Sequence, residues 1–268
     1  MAWSLSKIQC FEQCKLKYKF QYIDKIQQIP TRALAKGSKI HSILEDIKTI
    51  NPDNLNNTIQ DTVSKIDSLN TNLKDNSTEI KSAELDLESL NVVKSFIESK
   101  TYNTFKNILV SETAVEELEI GLKIHNNKLI DCSFYDEDCL YRGKIDVLDK
   151  NVIIDYKTGK AKEYQWQDFT QLEWYSIWVF LTHPYIYEIT GHFIYVEHSV
   201  INSKTFYRKD LNSMIKRMLT RIRNAVIFND KVNSKTDNIL IKSPSKLCEW
   251  CQYKEMCNNF LVNGSDDK

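Results

Sequence analysis

The chain has 268 residues, 42% of them hydrophobic and 11% aromatic, and its 36 basic residues balance 36 acidic ones. This composition can fill the core of one large domain or two small ones, and it excludes disordered and collagen-like chains. Only 6 Gly and 4 Pro are present, which favours an α/β fold with long helices and a small sheet. The N-terminal segment lacks a signal-peptide pattern and no long apolar run follows, so we expect a cytoplasmic protein with no membrane contact.

The even charge balance hides a segregation of charge along the chain. Residues 1–40 carry 8 basic and 2 acidic residues, and residues 201–257 carry 12 and 5, whereas residues 41–140 carry 9 and 19. A basic face built from both ends of the chain would suit the backbone of a nucleic acid. Ordinary solvated helix faces would give the same counts.

Apolar periodicity predicts the secondary structure in chain order. Two N-terminal helices are expected over 4–26, with Ser4 or Ser6 as the N-cap, and over 33–48. Residues 51–110 are polar with apolar residues at helical spacing, which predicts a helical insertion. The remainder predicts short strands over 114–124, 131–135, 140–149, 152–158 and 189–198, and helices over 165–182 and 208–228.

The segment YRGKIDVLDKNVIIDYKTGK predicts a β-hairpin with Lys150 and Asn151 as its two-residue turn. In that register Asp146 lies opposite Asp155 on one face of the hairpin, and Lys157 shares the face. The apolar residues of both strands point to the other face: Ile145, Val147, Ile154 and Tyr156.

Asp146 and Asp155 predict a site for a divalent metal ion. Two carboxylates opposed at about 5 Å in a buried sheet are destabilising unless a cation lies between them. Mg²⁺ or Mn²⁺ suits such hard oxygen ligands and keeps waters that can become nucleophiles. Lys157 would orient that water or stabilise the charge that develops on a phosphate. A surface pair of acids with a salt-bridging lysine is the simpler interpretation of the same residues.

Two pairs of residues at helical spacing lie before and after the hairpin. His41 and Glu45 are one turn apart, beside the apolar stripe of the helix over 33–48. Gln171 and Tyr175 are also four residues apart, so they share a helix face and could reach a substrate phosphate or Lys157. Taken alone, each pair is more often a packing or surface feature.

Seven cysteines occur, and structural disulfides are not expected in a cytoplasmic chain. Cys248, Cys251 and Cys257 form the pattern C-x2-C-x5-C, which brings three thiolates together. Such a group suits either Zn²⁺ or an iron–sulfur cluster, with Cys14 or Cys10 as the fourth ligand. A metal bound in this way would link the N-terminal and C-terminal segments of the chain. The other cysteines are expected to be ordinary buried thiols: Cys132 and Cys139.

In their order along the chain, these residues resemble the RecB-like branch of the PD-(D/E)XK nucleases. The segments that carry the resemblance are GSKIH, GKID, IIDYKTG, QLEWY and the C-x2-C-x5-C pattern. The first helix also resembles the N-terminal motif of that branch, although Lys15 stands where the motif usually has proline. The matching residues are Ser4, Ser6, Cys14, Lys17, Tyr18 and Tyr22. The branch includes AddB-type and CRISPR-adaptation exonucleases that carry an iron–sulfur cluster.

The resemblance implies one RecB-like nuclease domain over 1–268 with a restriction-endonuclease-like core, a small mixed sheet flanked by helices. The catalytic sheet and helix would occupy residues 111–200, after the helical insertion at 51–110. Residues 1–30 and 240–262 would bind the cluster.

The resemblance also implies roles for single residues. The divalent metal, Mg²⁺ or Mn²⁺, would be bound by His41, Asp146, Asp155 and the backbone carbonyl of Tyr156. Lys157 would be the catalytic lysine, supported by Gln171 and Tyr175. The cluster would be [4Fe-4S], with four ligands: Cys14, Cys248, Cys251 and Cys257.

Together the residues and the resemblance predict a metal-dependent DNA nuclease that hydrolyses phosphodiester bonds. The resemblance implies exonuclease action on single-stranded DNA or DNA ends, either alone or within a repair, recombination or adaptation complex. A non-catalytic nucleic-acid-binding or assembly subunit is the alternative from another functional class. Structural Zn²⁺ is the alternative to the iron–sulfur cluster.

Overall fold

The computed structural model describes residues 2–71, 77–233 and 243–257. Its α-helices are α1 Leu5–Gln13, α2 Lys15–Tyr18, α3 Arg32–Leu44, α4 Pro52–Thr71, α5 Ser77–Ile97, α6 Lys100–Leu109, α7 Thr170–Thr182 and α8 Leu211–Asn233. Its strands are β1 Val115–His125, β2 Lys128–Cys132, β3 Tyr141–Asp149, β4 Val152–Lys157, β5 Glu188–Tyr195 and β6 Val200–Tyr207. Shorter helical turns are the π-helix Lys19–Ile23 and the 3₁₀ turns Tyr164–Trp166, Arg208–Asp210 and Lys246–Trp250. Parts of the predicted cluster-binding segment, 240–242 and 258–262, lie outside the described residues.

The strands form one six-stranded sheet in the order β2-β1-β3-β4-β5-β6. The pairs β1–β2, β3–β4 and β5–β6 are antiparallel, whereas β4 and β5 are parallel. A parallel pair needs a crossover connection, and α7 lies in the connection between β4 and β5. This mixed sheet with its helices confirms the predicted α/β fold class.

The β3–β4 hairpin has the predicted register over three residue pairs: Asp149–Val152, Leu148–Ile153 and Val147–Ile154. Lys150 has φ 53°, the left-handed conformation that the tight turns of hairpins require. The expected fourth pair, Asp146 with Asp155, is not part of this register. Instead, the N–H of Tyr156 donates to the side chain of Asp146 (N to Oδ2, 2.7 Å).

The described residues belong to two compact units. The first unit comprises residues 1–30, 121–143 and 212–268, and the second comprises 31–120 and 144–211. The described parts of both segments predicted to bind a cluster fall in the first unit, and every residue predicted for the divalent metal falls in the second.

The second unit has a core shared by its helices and its strands. Residues from α3 to α6 pack in one cluster with strand residues: Ile40, Leu44, Leu55, Leu90, Val93, Phe96, Tyr102 and Leu109 with Val147, Ile154, Tyr156 and Ile194. The predicted helical segment at 51–110 therefore covers the face of the hairpin that carries Val147, Ile154 and Tyr156.

In the first unit, the helix predicted over 4–26 is interrupted at Cys14. The side chain of Ser4 caps α1 as predicted, by accepting from the N–H of Lys7 at 3.3 Å. Cys14 is extended, with φ −160° and ψ 113°, and its Sγ accepts from the N–H of Lys17 (3.5 Å) at the start of α2. The single-helix prediction was wrong because apolar periodicity continues across a residue that leaves the helix.

Two strands differ from the prediction. The strand predicted at 131–135 is Lys128–Cys132, because Asn126 and Asn127, with φ 48° and 60°, form a tight turn directly after β1. Strand β6 was missed because its sequence, VINSKTFY, lacks a continuous apolar pattern. Within the described ranges, every helix is too short or too polar to cross a lipid bilayer.

Candidate active site

Three ligand side chains from distant parts of the sequence meet in the second unit. His41 on α3, Glu117 on β1 and Asp146 on β3 each offer a ligand atom, and these atoms lie within 4.8 Å of one another. His41 Nδ1 is 3.6 Å from Asp146 Oδ2. Among the described residues, this is the one group of three or more close histidine, cysteine or carboxylate ligands. We call these three residues, with the neighbouring Asp155 and Lys157, the carboxylate site.

His41 reaches the site because α3 approaches the end of β4 closely. A Cβ atom on Gly37, one turn before His41, would lie 2.8 Å from Oγ1 of Thr158, so a larger residue would force either Thr158 or the helix to shift. Ile40 and Leu44 are buried on the apolar side of α3. The His41 ring meets the edge of Tyr156, with ring centres 6.3 Å apart. The glycine of GSKIH and the threonine of YKTG thus fit together in space.

Glu117 was not predicted from the sequence. It lies in a run of acidic residues on β1, and its φ of 53° is uncommon for a residue with a side chain. Such a residue inside a strand redirects its side chain, as in a β-bulge. The Glu117 carboxylate pairs with the ammonium of Lys144, which also lies 4.0 Å from Glu45. Strict strand alternation could not identify this residue because its backbone departs from the regular strand.

Asp155 and Lys157 form a pair beside these ligands. The side chain of Asp155 is only 3% exposed, and Lys157 Nζ lies 2.5 Å from its Oδ2. This contact lacks hydrogen-bond geometry, so Oδ2 has no hydrogen-bond partner. The predicted metal ligand Asp155 therefore lies next to the group of three, with its charge balanced by the lysine.

A chain of hydrogen bonds holds Lys157 in place. Its Nζ donates to Oε1 of Gln171 at 2.7 Å, and Nε2 of Gln171 donates to the hydroxyl of Tyr175 at 2.8 Å. The Tyr175 hydroxyl donates to the carbonyl of Lys144 at 2.5 Å. The chain therefore runs from the lysine on β4, across one face of α7, to β3, two residues before Asp146.

Burial and like charge set the protonation of the ligands. Burial, and then the charge of Asp155, raise the pKa of Asp146 well above its usual range, against the opposing effects of the Tyr156 N–H and Lys157. Burial lowers the pKa of His41, although the charge of Asp155 opposes this. A neutral imidazole can bind a metal. A cation among these oxygens would relieve the repulsion between the two acids, so the donors fit a hard divalent ion such as Mg²⁺ or Mn²⁺.

The first unit contains a second candidate site. Cys14, Cys248, Cys251 and Cys257 all line one cavity of about 220 Å³, which we call the cysteine cavity. Its apolar side is formed by three packed residues: Leu16, Phe20 and Tyr253. The structure thus brings together the four cysteines that the sequence resemblance implies.

Two observations bear on the alternatives left open by the sequence. Cys10 is not part of the cavity wall: it is buried, its Sγ donates to Gln21 (3.6 Å), and burial raises the pKa of its thiol to about 11. All four cavity cysteines belong to the described residues, and no three of their sulfurs lie within 4.8 Å of one another. A single tetrahedral Zn²⁺ with bonds near 2.3 Å needs sulfurs about 3.8 Å apart. In the metal-free protein, no set of three cavity sulfurs is this compact.

The remaining two cysteines are a half-buried thiol, Cys132, and a buried thiol, Cys139. Burial, and then a hydrogen bond with Cys139, raise the pKa of Cys132 to about 12. Cys139 is buried, and its Sγ donates to the carbonyl of Tyr141 at 3.0 Å. The Cys132 thiol is therefore protonated at neutral pH, and the Cys139 thiol is buried and hydrogen-bonded, which agrees with a packing role for both.

Among solved structures, one titled "Crystal structure of SSO0001" is 12% identical to this chain, with a TM-score of 0.31. The match covers 73% of this chain and 93% of the other, and a TM-score this low does not establish a shared fold. No curated protein matches the chain. A sequence model of the PD-(D/E)XK nuclease superfamily matches residues 2–258, which is nearly the whole chain. The chain therefore belongs to the PD-(D/E)XK nuclease superfamily.

Proposed function

We propose that the protein is a metal-dependent DNA exonuclease that acts on single-stranded DNA or on DNA ends. The observation that carries this proposal is the convergence of His41, Glu117 and Asp146 beside Lys157. Membership of a nuclease superfamily supports a nucleic acid as the substrate. DNA as the nucleic acid, and action from an end, rest on the resemblance of the sequence motifs to RecB-like exonucleases.

In this proposal, His41, Glu117 and Asp146 hold Mg²⁺ or Mn²⁺. Asp155 and the carbonyl of Tyr156 complete the ligand set that the resemblance implies. When bound, the ion lowers the pKa of a coordinated water and neutralises charge on the scissile phosphate. Lys144, which pairs with Glu117 in the protein alone, balances that carboxylate before the ion binds.

The residues of the chain supply position and charge. The Tyr156 N–H fixes the carboxylate of Asp146, and burial keeps His41 neutral. Gln171 fixes the ammonium of Lys157, which faces the charge that develops on the phosphate. The buried hydroxyl of Tyr175 fixes Gln171 in turn. Each of these contacts exists without substrate, so the site needs little reorganisation during the reaction.

We further propose a [4Fe-4S] cluster in the cysteine cavity, with a structural role. The four cysteines around one cavity and its apolar side support a bound metal group, and the resemblance of the sequence motifs to RecB-like exonucleases favours the cluster over Zn²⁺. Anaerobic purification with metal analysis tests this part separately. Iron and acid-labile sulfide with a brown absorption band are expected, and a colourless protein with one zinc would contradict the cluster.

Cleavage assays test the nuclease. Labelled linear single strands, duplexes and circular single strands are incubated with Mg²⁺ or Mn²⁺, and release of label from linear strands alone is expected. Lys157→Ala should abolish this release, whereas Lys65→Ala, an exposed lysine on α4 of the same unit, should retain it. Cleavage of circles would contradict exonuclease action. Full activity of Lys157→Ala would contradict the assignment of the site.

A further inference from the structure

Two large aromatic side chains are exposed in the connection between β4 and α7. The 3₁₀ turn Tyr164–Trp166 follows the strand that carries Asp155 and Lys157. Tyr164 is 61% exposed and Trp166 is 74% exposed. Single exposed apolar residues are common, but two such rings on one short turn beside a candidate active site indicate a contact surface.

Hydrogen bonds hold the turn against the sheet. Oε1 of Gln167, the residue after Trp166, accepts from the Tyr195 hydroxyl at 2.6 Å and from Nδ2 of Asn202 at 3.2 Å. The same Asn202 Nδ2 donates to the carbonyl of Lys162 at 2.9 Å, before the turn. Tyr195 and Asn202 are almost fully buried. Both ends of the turn are therefore fixed, which limits the movement of the backbone that carries the exposed rings.

A series of aromatic contacts connects the turn with the catalytic lysine. Lys157 Nζ lies 4.7 Å from the centre of the Phe193 ring. Phe193 stacks on Phe169 at 5.8 Å, and Phe169 contacts Tyr164 at 5.5 Å. Tyr195, which fixes Gln167, is also the residue paired with Lys157 in the β4–β5 register. Tyr164 and the backbone of the turn are thus positioned relative to the carboxylate site by two independent routes, and Trp166 lies on that same turn.

The charges around the turn complement a phosphate backbone. Lys160 and Lys162 are exposed just before it, and Lys204 Nζ lies 5.6 Å from the Phe169 ring. Two acidic residues are also close, but both carboxylates have local partners. Glu163 accepts from Gln165 at 2.7 Å, and Asp168 accepts from the N–H and hydroxyl of Thr170 at the start of α7.

We propose that Tyr164 and Trp166 form a stacking platform for the bases of a single-stranded nucleic acid whose backbone runs to the carboxylate site. Aromatic rings stack on any base, and lysines beside them contact the backbone phosphates. The inference rests on the proposed function, since it assigns a strand with unpaired bases as the substrate of the same site. It adds the residues that would hold that strand.

Equilibrium binding without divalent metal tests the platform independently of cleavage. Fluorescence anisotropy compares a labelled oligothymidylate with an abasic strand of the same length and charge. The wild-type protein should prefer the strand with bases, and Trp166→Ala should weaken its binding by about 5- to 150-fold, the range that loss of one stacked base gives. Binding of the abasic strand should change little. Trp166→Phe should retain most of the preference, because a ring remains.

Tyr187→Ala is the matched control, since this ring is 73% exposed in the same unit but lies outside the turn. It should keep the wild-type preference. A Trp166→Ala protein that still prefers the strand with bases to the wild-type degree would contradict the platform. Equal affinity of the wild-type protein for both strands would also contradict it, and would leave the two rings as a contact for a protein. A base preference without any cleavage by the wild-type protein would contradict the proposed function alone.

Discussion

The carboxylate site and the cysteine cavity differ in how completely the protein prepares their ligands. In the carboxylate site, Asp146 accepts a backbone N–H, Glu117 pairs with Lys144, and Asp155 pairs with Lys157. The ligands therefore keep their positions without an ion. In the cysteine cavity, Cys248 is exposed and the other three thiols are half-buried around open space. Two of these thiols accept one backbone N–H each, Cys14 from Lys17 and Cys248 from Ser245, so the cavity holds its ligands with fewer contacts.

This difference indicates two separate roles. A site whose side chains are fixed in advance suits chemistry, because reorganisation during the reaction is costly. A cavity lined by four thiols suits a group that stabilises the fold, because binding free energy then becomes folding free energy. Variants in the carboxylate site should therefore remove activity and keep stability. Variants in the cysteine cavity should lower stability and leave the chemistry of the carboxylate site unchanged.

Asp146→Asn should show the largest separation between activity and stability. The amide oxygen can still accept from the Tyr156 N–H, but the charge that binds the ion is lost. We expect cleavage to fall by about 10³-fold or more. Because burial and Asp155 disfavour the native carboxylate, the metal-free variant should unfold at the same or a higher temperature. Cleavage rates and thermal unfolding in EDTA measure the two effects. A large fall in melting temperature would contradict the claim that this site contributes to activity and not to stability.

Cys251→Ser should have the opposite pattern. Loss of one cluster ligand should destabilise the first unit by about 3 kcal/mol or more and expose it to proteolysis. Cys132→Ser is the control, because this cysteine is half-buried in the same unit but outside the cavity. Limited proteolysis and bound-iron analysis give the measurement. Equal protease resistance and iron content in Cys251→Ser and the wild-type protein would remove the structural role of the cavity.

Gln171→Ala should have an intermediate effect on turnover. The lysine would lose its hydrogen bond to Oε1 of Gln171, so its ammonium would be held less firmly near the phosphate. A decrease of about 10- to 100-fold in kcat with little change in KM is expected. Gln171→Glu keeps an oxygen acceptor and should recover part of the rate. An increase in KM with unchanged kcat would indicate substrate binding rather than positioning of Lys157.

Glu117→Gln should have the smallest effect of the series and would sharpen the ligand assignment. An amide oxygen is a weaker ligand than a carboxylate, so the Mn²⁺ concentration for half-maximal cleavage should rise about tenfold. The maximal rate at saturating Mn²⁺ should recover. Glu119→Gln, two residues along the same strand, serves as the control. Identical metal dependence in Glu117→Gln and the wild-type protein would remove Glu117 from the ligand set.

Much of the fold and part of the site could be predicted from local sequence. The hairpin followed from its two-residue turn and its alternation, and the register agrees over three pairs. The break at Cys14 could not be predicted, since it depends on a backbone conformation that periodicity does not reveal. Glu117 was missed for the same reason: its left-handed φ redirects a side chain that regular alternation would place elsewhere. The contact of Gly37 with Thr158 depends on tertiary packing, although both residues lie in motifs that the sequence singled out.

Calorimetric titration of Mn²⁺ into the wild-type protein and into Asp146→Asn tests the central claim most directly. The claim is that His41, Glu117 and Asp146 hold the divalent ion that cleavage requires. The wild-type protein is expected to bind Mn²⁺ at this site, and Asp146→Asn is expected to lose that binding while remaining folded. Equal binding of Mn²⁺ by the two proteins would contradict the account.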